Sequence, residues 1–165
     1  MNLMLRWIIR RDVDEVVQIE ESSFGAPWTE GEFMRCLKQR EVVGMVAEHD
    51  HEIAGFIIYE LHKSKLWILN FAVSPSMRRM GVGQQLVACL IGKLSQQRRN
   101  QIVLDVRETN LDAQLFFRAQ GFHAAGIIPE RYDNDEDAYH FQFDLQPQPS
   151  EHEPVNRLSA FFDES

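Results

Sequence analysis

The chain has 165 residues, 44% of them apolar and 25% charged, enough to bury one substantial core, too few for two ordinary domains and too apolar for wholesale disorder. Seventeen Lys and Arg against 25 Asp and Glu give a formal charge of −8, which opposes non-specific binding to nucleic acid. No apolar run approaches the ~20 residues that cross a bilayer and Met1 to Arg10 lacks a signal-peptide pattern, so no membrane partner is expected and a cytoplasmic location is the default expectation.

Leu5 to Arg10 is a short apolar stretch suited to a strand, and Asp12 offers an N-cap for a helix that carries Val13, Val16 and Val17 and ends near Ser22. Pro27-Trp28-Thr29 opens a second helix, with Thr29 and Glu32 as a capping box and Phe33, Cys36 and Leu37 on the inner face. Three strand-like runs follow, Glu41 to Glu48, Ile53 to Leu61 and Lys65 to Val73, the first two parted by the polar tip His49-Asp50-His51. This pattern predicts an antiparallel meander. After Ser74-Pro75 and a basic, glycine-containing loop, Leu86, Val87, Leu90, Ile91 and Leu94 keep the 3.6-residue period of a helix. Gln101 to Arg107 is the next strand. Asn110 begins a last helix, closed at Gln120-Gly121, and the strands His123 to Ile128 and Ala138 to Leu145 straddle the polar segment Pro129 to Asp137. From Gln146 onward the sequence is rich in Pro, Glu and Ser, which predicts a domain over 1–145 and a polar acidic tail over 146–165.

Cys36 and Cys89 fall in helical apolar stretches and read as buried free thiols, and the six histidines show no paired ligand spacing such as HExxH, so no metal is expected. The most informative stretch is Arg78-Arg79-Met80-Gly81-Val82-Gly83, between a strand and an amphipathic helix. Its glycines let the backbone approach a ligand closely, and the helix start aims free N–H groups and a positive dipole at an anion, a pyrophosphate above all. Taken alone, the pattern equally suits a tight turn with two solvated arginines. It lacks the Lys-Ser or Lys-Thr of the nucleotide phosphate loop and the G-x-G-x-x-G of dinucleotide folds.

The order Asn70-Phe71-Ala72-Val73-Ser74-Pro75, then Arg78-x-x-Gly81-x-Gly83 and a helix, resembles the acetyl-coenzyme A motif of the GNAT superfamily of N-acetyltransferases. Leu104-Asp105-Val106-Arg107-x-x-Asn110-x-x-Ala113-x-x-Phe116-Phe117-x-x-x-Gly121-Phe122 resembles the second half of that signature as ribosomal-protein alanine N-acetyltransferases, the RimI-like subgroup, carry it. Pro27-Trp28-Thr29-Glu30, Arg131-Tyr132 and Glu136-Asp137-Ala138 match the same subgroup, and the similarity spans residues 5 to 145. The resemblance implies a single α/β (α+β) domain, a mixed, mostly antiparallel sheet of about six or seven strands flanked by about four helices.

It also implies acetyl transfer from acetyl-CoA to an amine, most readily the α-amine of a protein or peptide N-terminus, a ribosomal protein among the candidates. Backbone groups of Phe71, Ala72 and Val73 would bind the acetyl-pantetheine arm. Arg79, Met80, Gly81, Val82, Gly83 and Gln84 would offer N–H groups to the pyrophosphate, Arg78 would add charge, and the Asn110 side chain would anchor the pantetheine. The subgroup's glutamate base corresponds to Asp105, one methylene shorter. Its tyrosine acid corresponds to Phe117, which has no proton to give but borders the coenzyme position, and Tyr132 or Tyr139 could replace it. The cluster Asp133, Asp135, Glu136 and Asp137 reads either as a solvated loop or as recognition of a basic acceptor, and Trp28 either lines the entrance or packs as a staple. Two alternatives stay open: a small-molecule amine acetyltransferase, and a module that binds acetyl-CoA without turnover.

Overall fold

The computed structural model describes residues 2–146; the tail read from the sequence lies, past its first residue, outside the described residues. One seven-stranded sheet runs through the molecule in the order β1-β2-β3-β4-β5-β7-β6. The strands are β1 (Met4–Trp7), β2 (Val42–His49), β3 (Glu52–Leu61), β4 (Lys65–Val73), β5 (Gln101–Arg107), β6 (His123–Ile128) and β7 (Ala138–Asp144). Four α-helices flank it: α1 (Val13–Ser23), α2 (Glu30–Leu37), α3 (Val82–Ile91) and α4 (Leu111–Ala119). Every strand pair is antiparallel except β4 with β5.

The central strands read as nearly continuous apolar runs because both faces are covered. On one face Met45, Ala47, Ile57, Tyr59, Ile102, Leu104 and Val106 meet Val82, Leu86, Val87 and Leu90 of α3 and Phe117 of α4. On the other, Val42, Val46, Phe56 and Ile58 meet Val13, Val16 and Ile19 of α1 and Phe33 of α2. Each large side chain buried this way contributes about 1.5–3 kcal/mol.

Two local readings change. The first strand ends at Trp7, because Arg10 to Asp12 wind into a 3-10 turn. Asp12 does not cap α1 with its side chain. Its buried carboxylate accepts from the Ile9 N–H at 2.8 Å and from both terminal nitrogens of Arg6 at 2.7 and 2.9 Å. The Thr29 cap holds, with its hydroxyl accepting the Glu32 N–H at 3.1 Å.

Candidate active site

Parallel pairing between β4 and β5 is confined to Lys65, Trp67 and the residue between them, against Gln101 to Val103. Beyond that the strands part. On its other edge β4 stays paired with β3 to Val73, but with a bulge: Ile58 faces Asn70, Tyr59 faces Ile68, and Leu69 is the extra residue. A bulge bends its strand and increases local twist, so β4 swings away from β5 and leaves an edge of backbone N–H and C=O groups over residues 68–73. Phe71, Ala72 and Val73, the residues expected to offer backbone to an extended ligand arm, lie on this edge; there the Phe71 N–H donates to the Asn70 side chain and the Val73 carbonyl accepts from Arg78.

An anion-ready loop stands beside the free edge. Arg79 and Gly81 both adopt left-handed backbone, with φ of 62° and 83°, and Gly81 is the N-cap of α3. A residue with a Cβ pays steric strain in that region, which is why glycine belongs there. Gly83 serves a different purpose: a Cβ at that position would lie 3.0 Å from Phe71 and 3.2 Å from Phe116. The N–H groups of Val82, Gly83 and Gln84 sit in the first turn of a ten-residue helix, unpaired within the helix as first-turn amides are, and Met80 is exposed before them. Arg78 points elsewhere. Its guanidinium donates to the Val73 carbonyl at 3.2 Å and the Ser23 hydroxyl at 3.0 Å. The Asn110 side chain caps α4, accepting the Ala113 N–H at 3.1 Å.

On the α2 side of the same junction lies a cleft of about 520 Å³. Trp28, Glu32, Arg35 and Cys36 form one wall, and Trp67, Asp105, Arg131 and Tyr132 the other. Trp28 both lines the cleft and packs on Phe33, with ring centroids 5.1 Å apart. Asp105 faces this cleft because its neighbours Leu104 and Val106 face α3. Burial pushes the Cys36 thiol up, the wrong direction for a thiolate nucleophile.

The candidate acids separate. Tyr132 is in the cleft, its ring 3.8 Å beneath the Arg107 guanidinium, and burial pushes its phenol up. Tyr139 is on the opposite face of β7, packed toward the α3 core. Phe117 is 2% exposed in a chain of rings that includes Phe71, Phe116 and Phe122. The acidic cluster also divides, since Asp133 and Asp135 are exposed whereas Glu136 is buried. The Glu136 carboxylate accepts from the Thr109 hydroxyl and N–H, from Arg107 and from Asn134. These bonds, the Thr109 hydroxyl first, pull it down to about 2. Glu136 therefore braces Arg107, and through it Tyr132, rather than meeting an acceptor.

Three positions escaped the sequence reading. Glu20 is buried and accepts from the Trp28 N–H at 3.2 Å and from the Asn70 amide at 2.7 Å, while Asn70 in turn accepts the Phe71 N–H at 2.8 Å. Burial pushes its carboxyl up. Its signal was a lone acid on the Val13-Val16 face of α1. His140 and Arg131 both reach Asp105, at 2.8 and 3.6 Å; strand register reveals the first, and the path of the β6–β7 loop the second. Among the described residues no group of three or more His, Cys, Asp or Glu side chains is placed to hold a metal, and no helix is long and apolar enough to span a membrane.

The family model for GNAT acetyltransferases matches residues 13–122, which brackets the free β4 edge, the glycine loop and Asp105. The chain belongs to the GNAT acetyltransferase family. A Bacillus subtilis protein provisionally named a ribosomal protein bS18-alanine N-acetyltransferase is 31% identical over 129 residues, 77% of this chain and 85% of its own. The crystal structure of the ribosomal-protein-S18-alanine N-acetyltransferase from Escherichia coli superimposes with a TM-score of 0.79 at 22% identity, covering 91% of this chain and 98% of that one. Arabidopsis thaliana NAA60, solved in complex with acetyl-CoA, gives 0.77 at 17% identity, over 87% and 100%. As a GNAT member the protein is an acetyl-CoA-dependent N-acetyltransferase, and the expected mixed sheet with four helices is the fold observed.

Proposed function

We propose that this acetyltransferase modifies the free α-amine of a protein or peptide N-terminus by direct attack in a ternary complex, in the cytoplasm. One observation carries the reading: Asp105 stands in an open cleft at the point where β4 leaves β5, opposite the α3 side from which the glycine loop would hold the coenzyme. The bacterial relatives, named for acetylating an alanine of ribosomal protein bS18, point the same way.

The coenzyme supplies an acetyl thioester, and the chain supplies position and proton handling. The edge over residues 71–73, the amides from Arg79 to Gln84, the Asn110 side chain and the Phe117 ring would hold the arm and the pyrophosphate; Arg78 would add charge only by leaving the Val73 carbonyl and the Ser23 hydroxyl. Holding two reactants in register replaces a bimolecular encounter with an effectively unimolecular one. Asp105 takes the proton that the attacking nitrogen sheds. Tyr132 is the cleft's phenol and the better placed acid toward the leaving sulfur; Tyr139 would have to act from the α3 side. With Cys36 held as a thiol, transfer goes straight to the amine.

An α-amine of pKa about 7.7–8.0 is neutral roughly a few hundred times more often than lysine at about 10.4, so a short carboxylate suffices as base. Peptides with free N-termini, an alanine-first peptide among them, should be acetylated much faster than N-blocked peptides carrying internal lysines, measured by thiol release from acetyl-CoA. Faster reaction of the blocked series, or of simple amines, would reassign the acceptor. Acetyl-CoA binding without turnover on any acceptor would make the protein a binding module, the reading that Phe117 favours.

A further inference from the structure

Antiparallel register sets Asp105 of β5 directly opposite His140 of β7. Their side chains share the α2 face of the sheet, and His140 Nδ1 lies 2.8 Å from Asp105 Oδ1. An ionised carboxylate only accepts, so Nδ1–H is the donor. The contact is partly enclosed, with the two side chains 23% and 10% exposed. Trp67, a cleft residue, stands against the imidazole at a centroid distance of 5.6 Å. The other carboxylate oxygen, Oδ2, has Arg131 Nε at 3.6 Å, beyond a good hydrogen bond. One oxygen is held and the other remains available.

We propose that His140 is a positioning residue for Asp105: its Nδ1–H fixes one carboxylate oxygen so that the other is presented to the incoming amine, and protonation of its ring draws basicity out of that carboxylate. The inference rests on the reading of Asp105 as the base. With the ring neutral, the amine nitrogen attacks the thioester carbon, the C–N bond forms, the C–S bond breaks with its electron pair leaving on the coenzyme thiolate, which takes a proton from Tyr132 or solvent, and the nitrogen's proton passes to Asp105 Oδ2. With the ring charged, a full positive charge sits against the carboxylate at hydrogen-bond distance, which favours its ionised form and opposes proton uptake. Imidazole can carry a charge in the physiological range, so ring protonation adds a step of its own to an acid limb that protonation of the acceptor amine also shapes.

Other charges facing the pair have been placed. From the β6–β7 segment come Arg131 and Tyr132, and Arg107 on β5 is neutralised by Glu136. Glu32, Arg35 and Cys36 of α2 share the cleft, and His62, bonded to Glu60, stands beyond Trp67. On the β6 side His140 pairs with Gly126, which has no side chain to titrate.

The test is kcat against pH for the full chain, with saturating acetyl-CoA and a saturating alanine-first peptide with a free N-terminus, for wild type, His140→Gln, His140→Leu and Asp105→Asn. His140→Gln keeps an amide donor but cannot titrate, and should make the acid limb shallower, leaving the step set by the acceptor amine. His140→Leu removes the donor and should lower kcat about tenfold across the range, with an unchanged acetyl-CoA dissociation constant, and Gln should recover most of that loss at pH 9. A His140→Gln profile that superimposes on wild type overturns the proposal, and this arm decides alone if the Leu variant does not fold. Asp105→Asn separates the two levels. A retained kcat there removes the base reading itself, whereas a loss of about 100-fold or more beside wild-type behaviour of both His140 variants removes only the inference about His140.

Discussion

Arg6 and Asp12 meet beneath the first turn of α1, and Glu48 of β2 takes the remaining face of the guanidinium at 2.9 Å. The Arg6 hydrogen bond, with help from the Ile9 N–H, holds the Asp12 carboxyl below its ordinary value near 3.8. A carboxyl whose folded value is depressed adds stability that is present above the unfolded value and is lost as pH falls through the folded one. Asp12→Asn should therefore cost about 1.5–3 kcal/mol at pH 7, the range for hydrogen bonds to charged groups, and the gap to wild type should close from about pH 4 downward. Urea melts at pH 7, 5 and 3 measure it; a gap independent of pH would mean that Asp12 acts by shape alone. Glu136 works in the same direction, being held at about 2. Glu20 works in the opposite one, since its raised carboxyl makes ionisation a cost that disappears as pH falls.

At the scale of elements, the bulge at Leu69 and the first turn of α3 together form the candidate coenzyme site, and aromatic rings join them. Phe71 of β4 stacks on Phe116 of α4 with centroids 5.4 Å apart, and both press against the backbone of Gly83. The sequence suggested that Gly83 leaves room for phosphate; the structure shows that it leaves room for these rings. Gly83→Val must push Phe71 and Phe116 out of a packed cluster, an overpacking that typically costs about 1–3 kcal/mol. Because Phe71 belongs to the free edge, acetyl-CoA affinity should fall along with stability. Chemical denaturation and calorimetry on the same variant test the coupling; a loss of affinity at unchanged stability would restore the phosphate explanation.

For the whole molecule, the separation of β4 from β5 leaves the β4 edge beyond Trp67 without a strand partner, so a ligand that pairs with it should stabilise the fold. Acetyl-CoA at about 100 times its dissociation constant adds about 2.7 kcal/mol by mass action, which for a domain of this size raises Tm by about 5–10 °C. A chelator should leave that shift intact. A thermal scan without a shift would move the coenzyme away from the wedge.

Local patterns along the chain carried the elements and the family. Strand and helix periodicity placed β3, β4 and β5 within a residue of where they lie, and the pattern from Asn70 to Gly83 marked the left-handed turn before α3, because both signals are local: side chains alternate along a strand, and a left-handed turn demands glycine nearby. Which side chains meet depends instead on long-range packing. Asp105 and His140 are 35 positions apart and Glu20 and Asn70 are 50 apart, brought together by register between strands and by a helix laid across the sheet. No local pattern encodes such a pairing, since shifting a strand by one residue would send His140 to the α3 face and Tyr139 to the cleft. The sequence could name Asp105, Tyr132 and Tyr139 as candidates; the pleat put Asp105 in the cleft, gave it its histidine and left Tyr139 on the other side, while the β6–β7 loop and the Arg107 contact brought Tyr132 to the same cleft.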